Sequence, residues 1–135
     1  MHRKPLAALA ALSLVLVSTV HGVDVQAATA TVGSSETGQL AWYGRKFSGR
    51  RTASGERFNP NAMTMSHKTL PFGTRVKVTN LENQRSVTVR VNDRGPTQPD
   101  RIADVSHAAA RKLGMTKAGI VDGQLEVVGA PSAKR

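Results

Sequence analysis

Residues 75–91 read RVKVTNLENQRSVTVRV, and polar and apolar side chains alternate along both halves of this stretch. Successive side chains of a strand point to opposite faces, so each half places its valines on one side. The apolar positions are Val76, Val78, Val87, Val89 and Val91. A polar turn at residues 81–85 separates the two halves. The pattern predicts a β-hairpin with one buried face.

Outward from this hairpin, the other signals are also mostly β. Residues 39–43 and 124–128 predict two further short strands, the second with Leu125 and Val127 facing inward. One helix is expected, because Ser106 can cap its N-terminus, three alanines follow, and Gly114 can end it. Short strands with a single brief helix indicate a small β-barrel.

The N-terminal residues have the pattern of a secretory signal peptide. Arg3 and Lys4 precede an apolar run at residues 6–20, and Val25 and Ala27 supply the small residues that a signal peptidase reads. The apolar run is shorter than the about 20 residues of a membrane span. We therefore expect residues 1–27 to be removed, and the mature protein to be extracytoplasmic, periplasmic or secreted, without stable membrane insertion.

The rest of the chain is expected to hold one domain. Residues 28–37 are predicted to be a flexible leader, residues 38–129 the domain, and residues 130–135 a disordered tail. The sequence contains no cysteine, so we expect neither disulfides nor a lipidated N-terminal Cys. No cluster of Cys and His suggests a metal, and no phosphate-binding glycine motif suggests a nucleotide. We expect no cofactor.

The formal net charge of +10 indicates an anionic partner. Export argues against nucleic acid and favours an anionic polymer of the cell envelope, such as peptidoglycan with its free carboxylates. The alternative is that the charge only aids solubility.

Strand parity also selects two candidate catalytic residues. Asp93 continues the apolar stripe of the second hairpin strand to its end, in the sequence NDRGP. Partial burial there would favour the protonated carboxyl that a general acid needs. His67 likewise ends a run that it shares with Met63 and Met65. The alternatives are a turn-capping role for Asp93 and a structural role for His67.

Other polar and aromatic residues allow two interpretations each. Tyr43 could line a glycan groove or belong to the core, and Trp42 is expected in the core. By itself, Glu56 resembles an ordinary exposed loop acid. Asp104 precedes Ser106 and could simply favour the helix N-terminus.

Three segments together resemble the catalytic domain of the RlpA family of lytic transglycosylases. They are GQLAWYGRKFSGRRTASGERFNPNAMTMSHKTLPFGTRVKVTN at 38–80, SVTVRVNDRGP at 86–96 and RIADVSHAAARKLGM at 101–115. The resemblance covers residues 38–128. It implies a mainly β fold, a six-stranded double-psi β-barrel with one or two short helices, as in expansins, barwin and family-45 glycoside hydrolases.

The resemblance also implies an activity and a site. The activity is endolytic cleavage of peptidoglycan between N-acetylmuramic acid and N-acetylglucosamine, leaving 1,6-anhydro ends, and a monomer is expected. The implied catalytic residues are Asp93, Glu56 and His67. The expected substrate contacts are Tyr43, Thr52, Arg94 and Asp104. The alternatives are an expansin-like module that binds or loosens the wall without turnover, and a glycan hydrolase on the same barrel.

Overall fold

A computed structural model describes residues 29–131. The predicted signal peptide and residues 132–135 of the predicted tail lie outside this part. The strands are β1 Ser35–Trp42, β2 Thr64–His67, β3 Arg75–Asn80, β4 Arg85–Asp93, β5 Arg101–Val105 and β6 Val121–Gly129. One α-helix, α1, spans His107–Lys112, and a 3-10 turn spans Arg45–Phe47. Among these residues, no helix is long and apolar enough to cross a membrane.

The six strands close into a barrel in the order β1-β5-β2-β4-β3-β6. The β1/β5 and β2/β4 pairs are parallel, whereas the other pairs are antiparallel. Closure leaves the sheet without a free edge, so every strand has a hydrogen-bonded neighbour on both sides. The predicted six-stranded barrel with little helix is confirmed.

The hairpin that the valine alternation predicts is β3 and β4. Val78 lies opposite Val87, and the alternating charged and hydroxyl residues of both strands face outward, whereas Asn80 and Asn92 are buried. Val76, Val78 and Val91 are fully buried, and Val89 is nearly so. Their side chains fill the barrel together with residues of the other strands and of α1. The hydrophobic stripe therefore forms the centre of the core.

The helix also follows its sequence signals. The Ser106 hydroxyl accepts a hydrogen bond from the Ala109 N–H at 3.2 Å, which satisfies one free donor of the first turn. Gly114 follows the last turn with φ at +66°, a conformation that favours glycine. Ala108, Ala109 and Ala110 are buried against the barrel. The helix is therefore an integral part of the core.

Two strand boundaries differ from the sequence-based prediction. β1 begins at Ser35, so the last three residues of the predicted leader pair with β6, where Ser35 lies opposite Glu126. β6 begins at Val121, three residues before the predicted start. The alternation of apolar residues does not reveal the start of β6, because Gly123 interrupts it. A Cβ at Gly123 would lie 2.2 Å from Leu40, so the core has no space for a side chain there.

Candidate active site

Asp93 lies at the end of β4, where a register shift in the β2/β4 pairing places it opposite Ser66. Its Oδ1 accepts hydrogen bonds from the backbone N–H groups of Ala53 at 2.9 Å and Arg94 at 2.8 Å. Its Oδ2 accepts a hydrogen bond from the Tyr43 hydroxyl at 2.7 Å. The carboxyl group is thus held by donors from three segments, while the residue remains partly exposed.

Tyr43 is a fixed hydrogen-bond donor in this site. Its ring packs against Phe58 at 4.9 Å and Phe47 at 5.7 Å between centroids. Burial raises the pKa of Tyr43, a hydrogen bond with Ser66 opposes this, and Asp93 raises the pKa further. The hydroxyl therefore keeps its proton at neutral pH and donates a hydrogen bond to Asp93.

Asp104 lies on the other side of the same short strand. Ser66 of β2 pairs with Asp93 of β4 on one side and with Asp104 of β5 on the other. Since neighbouring strands are about 4.8 Å apart, the two aspartate Cα atoms are about 10 Å apart. The topology thus brings both carboxyl groups to one end of the barrel, around Tyr43 and Ser66.

The environment of Asp104 differs from that of Asp93. Its side chain is only 20% exposed, and its Oδ1 is buried without a hydrogen-bond partner among residues 29–131. Arg101 is the nearest cation, with its Nη1 at 3.8 Å from this oxygen. Burial raises the pKa of Asp104, Arg101 lowers it, and the negative charge of Asp93 raises it. Asp104 therefore carries a proton more readily than an ordinary aspartate.

Glu56 forms a bidentate ion pair with Arg90 across the outer face of β4. Its two carboxylate oxygens accept hydrogen bonds from the Arg90 guanidinium, both at 2.7 Å. The hydrogen bond with Arg90 is the main cause of a lowered pKa of Glu56. The Thr52 hydroxyl donates to the backbone carbonyl of Glu56 at 2.7 Å, closing the turn that presents the Ala53 N–H. Glu56 and Thr52 thus shape the turn beside Asp93.

His67 is buried, with 5% of its surface exposed. Its Nδ1 accepts hydrogen bonds from the backbone N–H groups of Thr69 at 3.1 Å and Leu70 at 3.0 Å. The neutral ring must then carry its proton on Nε2, which donates to Glu36 at 2.8 Å. Both ring nitrogens are occupied by protein groups, as in a structural histidine.

Arg94 follows Asp93 in the sequence and contacts the loop at residues 68–70, which His67 holds through its Nδ1. Its guanidinium donates hydrogen bonds to the carbonyls of Leu70 at 2.7 Å and His67 at 3.3 Å. It also lies over the Phe72 ring, 4.1 Å from the centroid. These contacts fix the Arg94 backbone, whose N–H donates to Asp93.

Of the predicted site residues, Tyr43, Asp93 and Asp104 come together in one cluster, and Thr52 and Arg94 border it. Glu56 and His67 are engaged elsewhere, with Arg90 and Glu36. Sequence reasoning missed these two partners and Ser66. Trp42, expected in the core, packs partly buried against it and against the His107 ring at 4.9 Å. Between residues 29 and 131, no three His, Cys, Asp or Glu side chains are grouped as metal ligands.

Residues 35–125 match the lytic transglycolase family, and the chain belongs to this family. A relative from Synechocystis, named probable endolytic peptidoglycan transglycosylase RlpA, is 54% identical over 101 residues, which cover 75% of this chain and 32% of the relative. The endolytic peptidoglycan transglycosylase RlpA of Campylobacter jejuni is 46% identical over 115 residues, which cover 85% of this chain and 42% of the relative. The chain thus spans less than half the length of these curated relatives.

Solved structures share the barrel fold at lower identity. The Streptomyces papain inhibitor superposes with a TM-score of 0.58 at 24% identity, covering 73% of this chain and 97% of the inhibitor. The expansin of Clavibacter michiganensis superposes with a TM-score of 0.57 at 20% identity, covering 74% and 53% of the two chains. These likenesses agree with the double-psi β-barrel that the family implies.

Proposed function

We propose that this protein is an endolytic lytic transglycosylase that cleaves peptidoglycan between N-acetylmuramic acid and N-acetylglucosamine and leaves 1,6-anhydro ends. Its family and the names of its relatives support this activity. The observation that carries the proposal is the pair of carboxyl groups, Asp93 and Asp104, on either side of Ser66 at one end of the barrel.

In this proposal, Asp93 contacts the glycan and acts as the general acid, and Asp104 is the second carboxyl group of the pair. Asp93 donates the proton to the glycosidic oxygen as the bond from C1 breaks through an oxocarbenium-like state. The 6-hydroxyl of the muramic acid then attacks C1 and gives its proton to the Asp93 carboxylate. The carboxyl group is thereby restored.

This chemistry requires no water between two carboxyl groups. An inverting hydrolase separates its carboxyl groups by roughly 6.5–9.5 Å to admit the attacking water. In a lytic reaction the nucleophile belongs to the sugar itself, so one carboxyl group can act first as acid and then as base. Tyr43 and the Ala53 and Arg94 N–H groups orient that carboxyl group and stabilise its charged form.

The remaining predicted residues receive supporting roles. Thr52 and Arg94 border the carboxyl group and are proposed to contact the glycan. Glu56, held by Arg90, fixes the turn that presents Ala53. His67 is a positioning residue, because it holds the loop whose Leu70 carbonyl binds Arg94.

The location and partners are parts of the same proposal. We propose that the protein acts as a monomer on peptidoglycan outside the cytoplasm, after cleavage of the signal peptide following Ala27. N-terminal sequencing of the extracytoplasmic protein tests this cleavage, and an intact Met1 in the membrane fraction would contradict it.

Digestion of purified sacculi, with mass spectrometry of the products, tests the activity. The proposal predicts soluble fragments with 1,6-anhydromuramic ends. Reducing ends would instead identify a hydrolase. Binding without release of fragments would identify a wall-binding module of the expansin type.

A further inference from the structure

A cavity of about 770 Å³ opens on the outer face of the hairpin, beside the proposed active site. Its walls come from the turn at residues 52–56, the loop before β3, and the outward side chains of β3 and β4. The lining side chains that matter here are Ser54, Glu56, Phe72, Arg75 and Arg90. The volume lies in the range of small-molecule and sugar sites.

The charges in this cavity are not balanced. Arg75 and Arg90 lie directly opposite each other on β3 and β4, an arrangement that like charges disfavour. Glu56 neutralises only Arg90, with both of its oxygens. Arg75 forms no ion pair with any residue between 29 and 131. The cavity therefore presents one positive charge without an internal counter-charge.

The guanidinium of Arg75 lies against strand β6. Gly129 lies opposite Arg75 on β6, and a Cβ at that glycine would lie 2.7 Å from Nε and Nη2 of the arginine. The lack of a side chain at Gly129 lets the guanidinium lie against the neighbouring strand. The guanidinium therefore lies beside the cavity, exposed and able to contact a bound group.

The cavity is separated from Asp93 by a single turn. One part of this turn donates the Ala53 N–H to Asp93, and the next residues, including Ser54, line the cavity. On the other side, the Phe72 ring lines the cavity and carries the Arg94 guanidinium. A polysaccharide bound at Asp93 would reach this cavity with a neighbouring sugar or its substituent.

We propose that this cavity is a carboxylate-binding subsite, in which Arg75 binds the acidic substituent of a muramic acid residue next to the cleaved bond. The proposal rests on the proposed substrate. A guanidinium can bind a carboxylate through two parallel hydrogen bonds, and the Phe72 ring offers an apolar surface to the sugar. The carboxylate is the lactyl group itself in peptide-free strands, or belongs to the stem peptide in peptide-bearing strands.

Binding to defined glycans tests this subsite separately from turnover. The full chain with Asp93→Asn prevents cleavage during the measurement. Into it we introduce Arg75→Gln, Arg75→Lys or the matched control Lys77→Gln, which removes a charge two residues along the same outward face. The probes are peptide-free strands, the same strands with their carboxylates amidated by methylamine, and peptide-bearing strands. Melting temperatures verify that each variant is folded.

We expect Arg75→Gln to weaken binding to peptide-free strands by about tenfold, the size of a hydrogen bond to a charged group. Binding to amidated strands should not change, and Arg75→Lys should recover part of the loss. Lys77→Gln should change binding by less than about twofold, as for an exposed charge. The same loss on peptide-bearing strands alone would also support the subsite and would identify the stem peptide as the source of the carboxylate.

Equal losses with Arg75→Gln and Lys77→Gln, or an equal Arg75→Gln loss on amidated strands, would overturn the subsite. Release of anhydro-fragments by the wild type, without any dependence of binding on Arg75, would refute this inference and leave the proposed function intact. If binding depends on Arg75 but the wild type releases no anhydro-fragments, the subsite is supported and the proposed function is refuted.

Discussion

The Asp93 cluster and the His67 network lie at the ends of adjacent strands, yet their polar groups are used differently. Both ring nitrogens of His67 are occupied by protein groups, and the residue is buried. Asp93 is partly exposed, and the nearby Asp104 has a buried oxygen without a hydrogen-bond partner among residues 29–131. The His67 ring thus has no free donor or acceptor, whereas a carboxylate has about four acceptor sites. Asp93 uses three of them, which leaves acceptor capacity for a substrate.

The largest expected effect is on Asp93. Asp93→Asn should lower release of anhydro-fragments by roughly 10²–10⁴-fold, the contribution of general acid-base catalysis. Melting should change little, because the amide oxygen can still accept the Ala53 and Arg94 N–H groups. Product quantification by mass spectrometry, together with thermal melting, measures both.

Asp122→Asn is the matched control for this variant, because Asp122 is an exposed aspartate on β6. It should leave activity and melting unchanged. Near-normal turnover in a folded Asp93→Asn protein would contradict the mechanism. The Asp93 cluster would then be structural, like the His67 network.

His67 should show the opposite balance. His67→Ala leaves the Thr69 and Leu70 N–H groups without their acceptor, which should cost about 2–4 kcal/mol of unfolding free energy. His67→Asn places an oxygen near the position of Nδ1 and should recover much of this loss, although it cannot reach Glu36. Chemical denaturation measures both variants.

Turnover of the folded fraction should fall by less than about tenfold in His67→Ala, because the variant acts only through the position of Arg94. If both His67 variants are stable and inactive, the ring takes part in the chemistry and the network is not merely structural.

The fold was largely predictable from local patterns. The β3/β4 hairpin follows from the pleat, and α1 follows from Ser106 and Gly114, since these signals act within a few residues. β5 was not predicted, because RIADV does not alternate: Ile102 and Ala103 are both buried. Its position depends on pairing with β1 and β2, which local sequence does not encode.

The candidate site was predictable only in part. Parity and the family resemblance together select Asp93, although the alternation ends before it. Asn92 is also buried, and a register shift in the β2/β4 pairing sets the position of Asp93. The contacts that define Glu56 and His67 lie 34 and 31 residues away in the sequence, at Arg90 and Glu36. Only closure of the barrel brings these partners together, and Glu36 lies in the segment that composition marks as a flexible leader.

Asp104→Asn should have an intermediate effect on turnover, and it tests whether the second carboxyl group contributes to catalysis. Loss of the second carboxyl group should lower turnover by about tenfold, because its electrostatic interaction with Asp93 is lost. Burial raises the pKa of Asp104 in the folded state, so the wild type loses stability as pH rises from the ordinary aspartate pKa through the raised one.

Stability therefore provides a second measurement of Asp104. Above this pH window, Asp104→Asn should be more stable than the wild type, by at most a few degrees in Tm. Below the window, the difference should be absent. Melting at pH about 3 and about 7 measures it, and equal differences at both pH values would show that desolvation of the charge is not the cause.

The smallest expected effect on turnover is that of Glu56→Gln. This variant tests whether a carboxylate that is already bound by Arg90 can still have a catalytic role. The ion pair with Arg90 is 40–44% exposed, so Glu56→Gln should cost only about 0.2–1 kcal/mol of unfolding free energy. Turnover should fall by less than about threefold, because the turn remains closed by the Thr52 hydroxyl on the backbone carbonyl. A double-mutant cycle with Arg90→Gln, read by denaturation and by product release, separates the ion pair from any chemical role. Coupling in stability alone would show that the Glu56–Arg90 ion pair is structural. A loss of a hundredfold or more in turnover with Glu56→Gln, without the same loss in Arg90→Gln, would contradict this. It would mean that the ion pair opens on substrate binding and that Glu56 acts with Asp93.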